Sequence, residues 1–330
     1  MSSVTGPAVG APSLWARARS RVNPVNSVGD AVLFALCAVA SLLAVVAIVE
    51  IAYQVIHGAT LSMSKFGLGF VFHATWKPNF NIYGAGTVLF GTLFSSAAAL
   101  ALATPIGISI ALYLSMLAPR GVRGIVSPLV EMLAAIPSVI LGLWGIIVLA
   151  PFLHDHVEPW LHHTFGFIPL FGDVPTTGSS VFTASLILTI MIVPIIASIS
   201  RDLFLTVPRE LQDGAAALGA TRWEIVRGVV LPSTASGVAA AAFLGLGRAL
   251  GEAIAVSQTI GAGTTINANL FQPGDTLASR IALQFPGALN KLHFASLFYL
   301  AVILLAIGVV CNLIAQWISR RFELQRAAAI

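Results

Sequence analysis

Residues Arg209–Pro232 read RELQDGAAALGATRWEIVRGVVLP, a polar island with Arg209, Arg222 and Arg227 in a mostly apolar chain. Its local chemistry predicts a helix, a glycine turn and a second helix. Pro208 suits the start of a helix, where its missing N–H would have no partner anyway. Leu211, Ala215 and Leu218 recur at helical spacing, which gives the short helix one apolar side. Gly219 stands where that helix should stop, because glycine enters the left-handed region without steric cost. Thr221 then opens the second helix. Its hydroxyl caps an orphan N–H, and Glu224, three residues on, completes a capping box.

The apolar remainder decides the class. Of 330 residues, 57% are hydrophobic and 9% charged, against about 25% charged in a soluble domain. Such a chain cannot cover its surface with polar groups, so a membrane protein is predicted. A span needs about 20 mainly apolar residues. Six segments qualify, near 28–56, 84–114, 125–153, 179–199, 236–261 and 295–318. Pro105, Pro137 and Pro194 interrupt three of them, which a bilayer tolerates where neighbours or a water-filled cavity satisfy the freed backbone. Cys37 and Cys311 fall in apolar runs and read as small apolar side chains, not as a disulfide or metal pair.

Residues 1–27 carry Arg17, Arg19 and Arg21 among Ser, Ala, Gly and Pro. They read as a disordered tail, since the apolar run that follows is too long for a signal peptide and lacks a small-residue cleavage site. The plan is therefore a tail 1–27, a first span 28–57, an extracytoplasmic loop 58–83, a five-span core 84–319 holding the 201–235 loop, and a tail 320–330. Of the 17 basic residues, twelve lie in the tails and in the loops after the second and fourth spans. Only Lys65, Lys77, Arg280 and Lys291 lie in the opposite loops. The positive-inside rule makes both termini and the 209–232 loop cytoplasmic. The net charge of +4 is a topology signal and not a nucleic-acid patch. No G-x-x-x-x-G-K-[ST] run occurs, so any nucleotide motor belongs to another subunit.

The 209–232 stretch resembles the cytoplasmic coupling loop of ABC importer permeases. Asp213-Gly214-Ala215, then Gly219, then Val229-Val230-Leu231-Pro232 keep that family's spacing. Asp213 stands where glutamate is usual, and Gly214 where alanine is, at about 1 kcal/mol of helix propensity. Four further stretches, KFGLGF (65–70), NIYGAGTVLFGTLFSS (81–96), EMLAAIPSVILGLWG (131–145) and LGLGRALGEAIAV (244–256), resemble phosphate-specific permeases of the PstC type.

The resemblance implies an all-α membrane protein of six transmembrane helices in the type I ABC importer (MetI-like) permease fold. It would lie in the bacterial cytoplasmic membrane, translocate inorganic phosphate and catalyse nothing itself. The implied partners are a second homologous permease (PstA-like), an ATPase dimer (PstB-like) and an extracytoplasmic phosphate-binding protein (PstS-like), with the lipid bilayer around them and no nucleic acid. No cofactor is expected in this chain, ATP and Mg being bound by the ATPase. Coupling would run through Leu211, Asp213, Gly214, Ala215, Leu218, Gly219 and Pro232.

The residues themselves leave alternatives open. A single arginine recognises any tetrahedral oxyanion, so a sulfate or molybdate permease fits equally, and a scaffold or sensor that binds the ATPase without transporting is a further rival. A secondary transporter would show inverted repeats, and none is visible. Arg248 and Glu252, four apart on the fifth span, form the candidate pathway pair with Thr259, since charge within a membrane faces a pathway or a partner. The alternative is an ion pair that pins helices. His154, Asp155, His156, Glu158, His162 and His163 crowd the expected loop after the third span. They read as a polar interfacial turn anchored by Trp160, with metal binding as the rival. The 267–293 loop is expected to meet the binding protein or cap the pathway.

Overall fold

The computed structural model describes residues 28–288 and 290–327; the tail expected at 1–27 lies outside them. Among the described residues six helices are long and apolar enough to cross a membrane. In chain order the elements used below are α1 (Val28–Phe66), α2 (Gly86–Leu117), α3 (Arg120–Ala134), α4 (Ser138–Phe165) and α5 (Val181–Leu205). They continue as α6 (Arg209–Ala217), α7 (Arg222–Gly251), α8 (Ile254–Thr259), α9 (Leu277–Gln284) and α10 (Lys291–Ala327). The chain forms two units, 1–54 and 55–330. In the first, residues 31–49 of α1 are almost wholly apolar, with exposed side chains such as Leu36, Val46 and Ile48, the composition of a helix meeting lipid.

The second unit is built around α5. In its most apolar stretch 61% of residues are buried, against 28% or less in the other spans, and it packs on α2, α3, α7 and α8. Ala99 and Ala103 of α2 meet Ala184, Leu188, Ile192 and Ile196 of α5 in one core, the small residues allowing close backbone approach. A second core joins the end of α1 to α10. There Ser62 and Ser296 hydroxyls lie 3.2 Å apart, and Phe70 stacks on Tyr299 with ring centroids 4.4 Å apart. A third core, of Ala111, Phe204, Val207, Ile225, Val230 and Val238, seats the 209–232 loop against α2 and α5.

Four boundaries correct the expected plan. The third span is not 125–153, because α3 ends at Ala134 and α4 begins at Ser138. Pro137 is extended at φ −58° and ψ 133°, and the residue before a proline avoids the helical region. α4 then carries the histidines to Phe165, so the expected loop is helix, with a wide π turn at Leu153–Val157. The fifth span is not 236–261, because α7 begins inside the 209–232 loop at Arg222 and stops at Gly251. The first helix runs to Phe66 and takes in the start of the expected 58–83 loop. At the far end α10 continues through most of the expected 320–330 tail, to Ala327.

Candidate functional site

The 209–232 loop is held by its own backbone chemistry. Gly219 takes φ 88°. Its N–H donates to Ala216 O at 3.0 Å and the Ala220 N–H to Ala215 O at 3.1 Å, the two bonds of a Schellman close. Thr221 and Glu224 form the capping box: Thr221 N–H donates to Glu224 Oε2 at 2.7 Å, and Glu224 N–H to Thr221 Oγ1 at 3.4 Å. A π turn at Val226–Val230 follows, next to Pro232, which withholds the N–H that a regular helix would bond.

The expected apolar side of α6 divides. Ala215 packs partly against the loop's own core, while Leu211 is 54% and Leu218 92% exposed. Trp223, 65% exposed, joins them. Asp213, Gly214 and Pro232 are also exposed. One tie escapes sequence reading: Arg201, at the end of α5, reaches Glu131 of α3 at 3.0 Å and Asp202 at 2.8 Å. It fastens α3 to the helix that leads into the loop.

The three expected pathway residues do not share one helical face. α7 ends at Gly251, and Glu252 is extended at ψ 118°. Gly247 and Gly251 weaken the last turns, and the Glu252 carboxylate takes the Ala255 N–H at 3.2 Å, opening the separate helix α8. Glu252 is 9% exposed. Thr259 is fully buried and its hydroxyl donates to Ala255 O at 2.9 Å. α8 lies against the start of α4, and a Cβ at Gly142 would stand 2.8 Å from Ala255 Cα, so this close approach requires glycine.

Arg248 is exposed on α7, and among the described residues no carboxylate pairs with it. It opens on a cleft of about 900 Å³ between α5, α7 and α10, with Ile195, Phe243, Leu244, Asn312 and Gln316 among its walls. The polar pair on α10 was missed because the last span reads as generic apolar sequence.

Buried charged residues also lie elsewhere. Asp275 pairs with Arg280, both buried, and the guanidinium lies 5.5 Å from the Trp76 ring centroid. Arg280 is therefore not the open-loop cation expected. Glu158 on α4 is fully buried, accepts from the Ser180 hydroxyl at 3.2 Å and has His154 at 3.6 Å. Among the described residues no three His, Cys, Asp or Glu side chains converge as metal ligands would. The 261–276 segment docks on α5 through backbone bonds from Val181 to Gln272 O and Phe182 to Leu270 O.

Residues 103–324 match the family described as binding-protein-dependent transport system inner membrane component. The chain is 39% identical over 303 residues to the phosphate transport system permease protein PstC of Mesorhizobium japonicum, covering 91% of this chain and 92% of that one. It is 42% identical to the protein of the same name in Pasteurella multocida, over 82% and 85% of the two chains. Among solved structures, a bacterial alginate ABC transporter with its periplasmic protein aligns at TM-score 0.59 and 18% identity, covering 93% of this chain and 97% of that one. The MetNI methionine ABC transporter, inward facing, aligns at TM-score 0.51 and 21% identity, over 70% and 93%. These two share the type I importer permease fold. On a family match across more than half its length, and on relatives matched nearly end to end, the chain belongs to the binding-protein-dependent transport permeases, multi-pass membrane proteins, and within them to the PstC family of phosphate transport system permeases.

Proposed function

We propose that this chain is the transmembrane permease subunit of an ATP-driven importer that moves inorganic phosphate across the bacterial cytoplasmic membrane, with no catalysis of its own. The observation that carries the reading is Arg248, an exposed guanidinium on a membrane-crossing helix that faces a cleft and, among the described residues, has no carboxylate partner. Charge in a bilayer is costly and faces a pathway or a partner. A guanidinium presents a two-pronged donor to phosphate oxygens and offsets the water that the anion sheds. The names of the relatives favour phosphate over sulfate or molybdate.

In this reading Arg248 meets the anion. Glu252 sets the break that ends α7 beside it, and Thr259 anchors α8. Both termini and the 209–232 loop face the cytoplasm, following the basic asymmetry. Leu211, Leu218 and Trp223 enter an apolar groove of a PstB-like ATPase dimer, the helix-in-groove mode. Asp213, Gly214, Ala215, Gly219 and Pro232 hold the loop's shape. A PstA-like permease completes the pathway and a PstS-like binding protein delivers phosphate. ATP and Mg are held by the ATPase and none by this chain.

The test is uptake of labelled phosphate by the whole complex in proteoliposomes. Arg248→Lys keeps the charge and loses the fork, so uptake should fall with assembly intact. Arg248→Ala should abolish uptake. Normal uptake by Arg248→Ala would refute the pathway role, whereas uptake of sulfate but not phosphate by the unaltered complex would move the chain to the rival oxyanion class.

A further inference from the structure

We infer that the carboxamides of Asn312 and Gln316 on α10 form the second polar wall of the anion path, across the cleft from Arg248; this rests on the transport reading above. Both side chains are exposed within the membrane-crossing part of α10, whose mean hydropathy reaches 2.7. Against lipid tails each unmet amide group would cost several kcal/mol. Gln316 Nε2 donates to Asn312 Oδ1 at 3.3 Å. That bond uses one donor and one acceptor. The Asn312 amide hydrogens, the Gln316 oxygen and one Gln316 amide hydrogen have no protein partner among the described residues.

These two residues and Arg248 line the same cleft from α10 and α7, and the other lining residues are apolar or small, Phe243, Leu244 and Ala315 among them. A few polar groups converging between apolar walls is the pattern of a ligand site. Their chemistry defines the ligand. The guanidinium and amide N–H groups donate to anionic oxygens, and the carboxamide oxygens accept from an acid hydroxyl. The set therefore fits a tetrahedral oxyanion that is partly protonated near neutral pH, as phosphate is. Neutral amides hold such an ion less tightly than a second cation would. A path needs that weakness if the ion is to leave.

Cys311, on α10 beside Asn312 and lining the same cleft, supplies a native probe. Cys37→Ser leaves it the sole thiol of the chain, since there are two cysteines in all. In the assembled complex in proteoliposomes, a charged, membrane-impermeant thiosulfonate should modify Cys311, located by peptide mass mapping. Inorganic phosphate should slow that modification. Asn312→Leu and Gln316→Leu should each lower the uptake rate about tenfold, the loss of one hydrogen bond to an anion, with subunit stoichiometry unchanged. Gln316→Asn should restore part of the rate.

Unchanged uptake in both leucine variants overturns the inference. Modification of Cys311 by a lipid-soluble maleimide only overturns it in favour of a lipid-filled cleft. Loss of the second permease from the purified leucine variants overturns it in favour of a subunit interface. Arg248→Ala is measured alongside. Normal uptake there, with lowered uptake in the leucine variants, sinks the Arg248 reading and not the α10 wall.

Discussion

Gly219 shows how one residue carries a fold decision. At φ 88° a side chain with a Cβ costs about 1–2 kcal/mol, more for a β-branched one. Gly219→Val should insert and fold in the membrane, yet recover less ATPase on affinity purification and lose uptake. Gly219→Asn, which tolerates the left-handed region, should keep most of both. A fully active Gly219→Val complex would show that the turn does not couple. Asp275 and Arg280 make the opposite case. Removing one partner of a buried ion pair costs about 3–5 kcal/mol. Asp275→Ala should therefore lower the unfolding midpoint in detergent sharply, and Asp275→Leu with Arg280→Met should recover most of it. The turn was legible in the sequence because glycine geometry is local. The ion pair was not, because residues five apart share no helical face and the burial of Arg280 depends on Trp76, some two hundred positions away.

Elements repeat that contrast. The capping box at Thr221–Glu224 and the helix around it were readable, since a cap and its helix are neighbours in sequence. The division of 120–165 into α3 and α4 was also signalled, by Pro137, but an unbroken apolar run outweighed it in the expected plan. The end of α7 was harder. A four-residue spacing from Arg248 to Glu252 suggests one face, and the extended backbone at Glu252, with its carboxylate on the Ala255 N–H, shows the break. Glu252→Ala should loosen α8, read as faster hydrogen exchange at 254–259, while the cleft wall at Arg248 persists. Gly142→Val should push α8 from α4 and lower the yield of assembled complex. An unchanged yield would mean that the close approach at Ala255 is dispensable. The role of α10 as a cleft wall was illegible, because two amides in a long apolar run are meaningful only once α7 is placed opposite.

At the scale of the whole molecule the sequence spoke through composition: six spans from apolar runs, and an orientation from cations. The orientation is open to direct measurement. Cysteines introduced at Ser2 and Ala328, in a Cys37→Ser, Cys311→Ser background, should resist an impermeant thiol reagent added to intact cells, and one at Thr176 should react. Reaction at either terminus would overturn the six-span orientation. The π turn at Val226–Val230 has a mechanical consequence. α7 runs for 30 residues, and its path from the surface proposed for the motor to the guanidinium in the cleft is about 40 Å. It behaves as a crankshaft whose angular phase is set near its foot. A π turn holds one residue more than a regular turn and so absorbs a one-residue change, whereas removing Ala239 from the regular part of α7 would rotate what lies beyond it by about 100°. Arg248 would then swing off the cleft while the cap at Thr221 stayed in place. Such a deletion should leave the ATPase bound and hydrolysing but move no phosphate, whereas removing Gly228, which only tightens the π turn to a regular one, should keep the stroke.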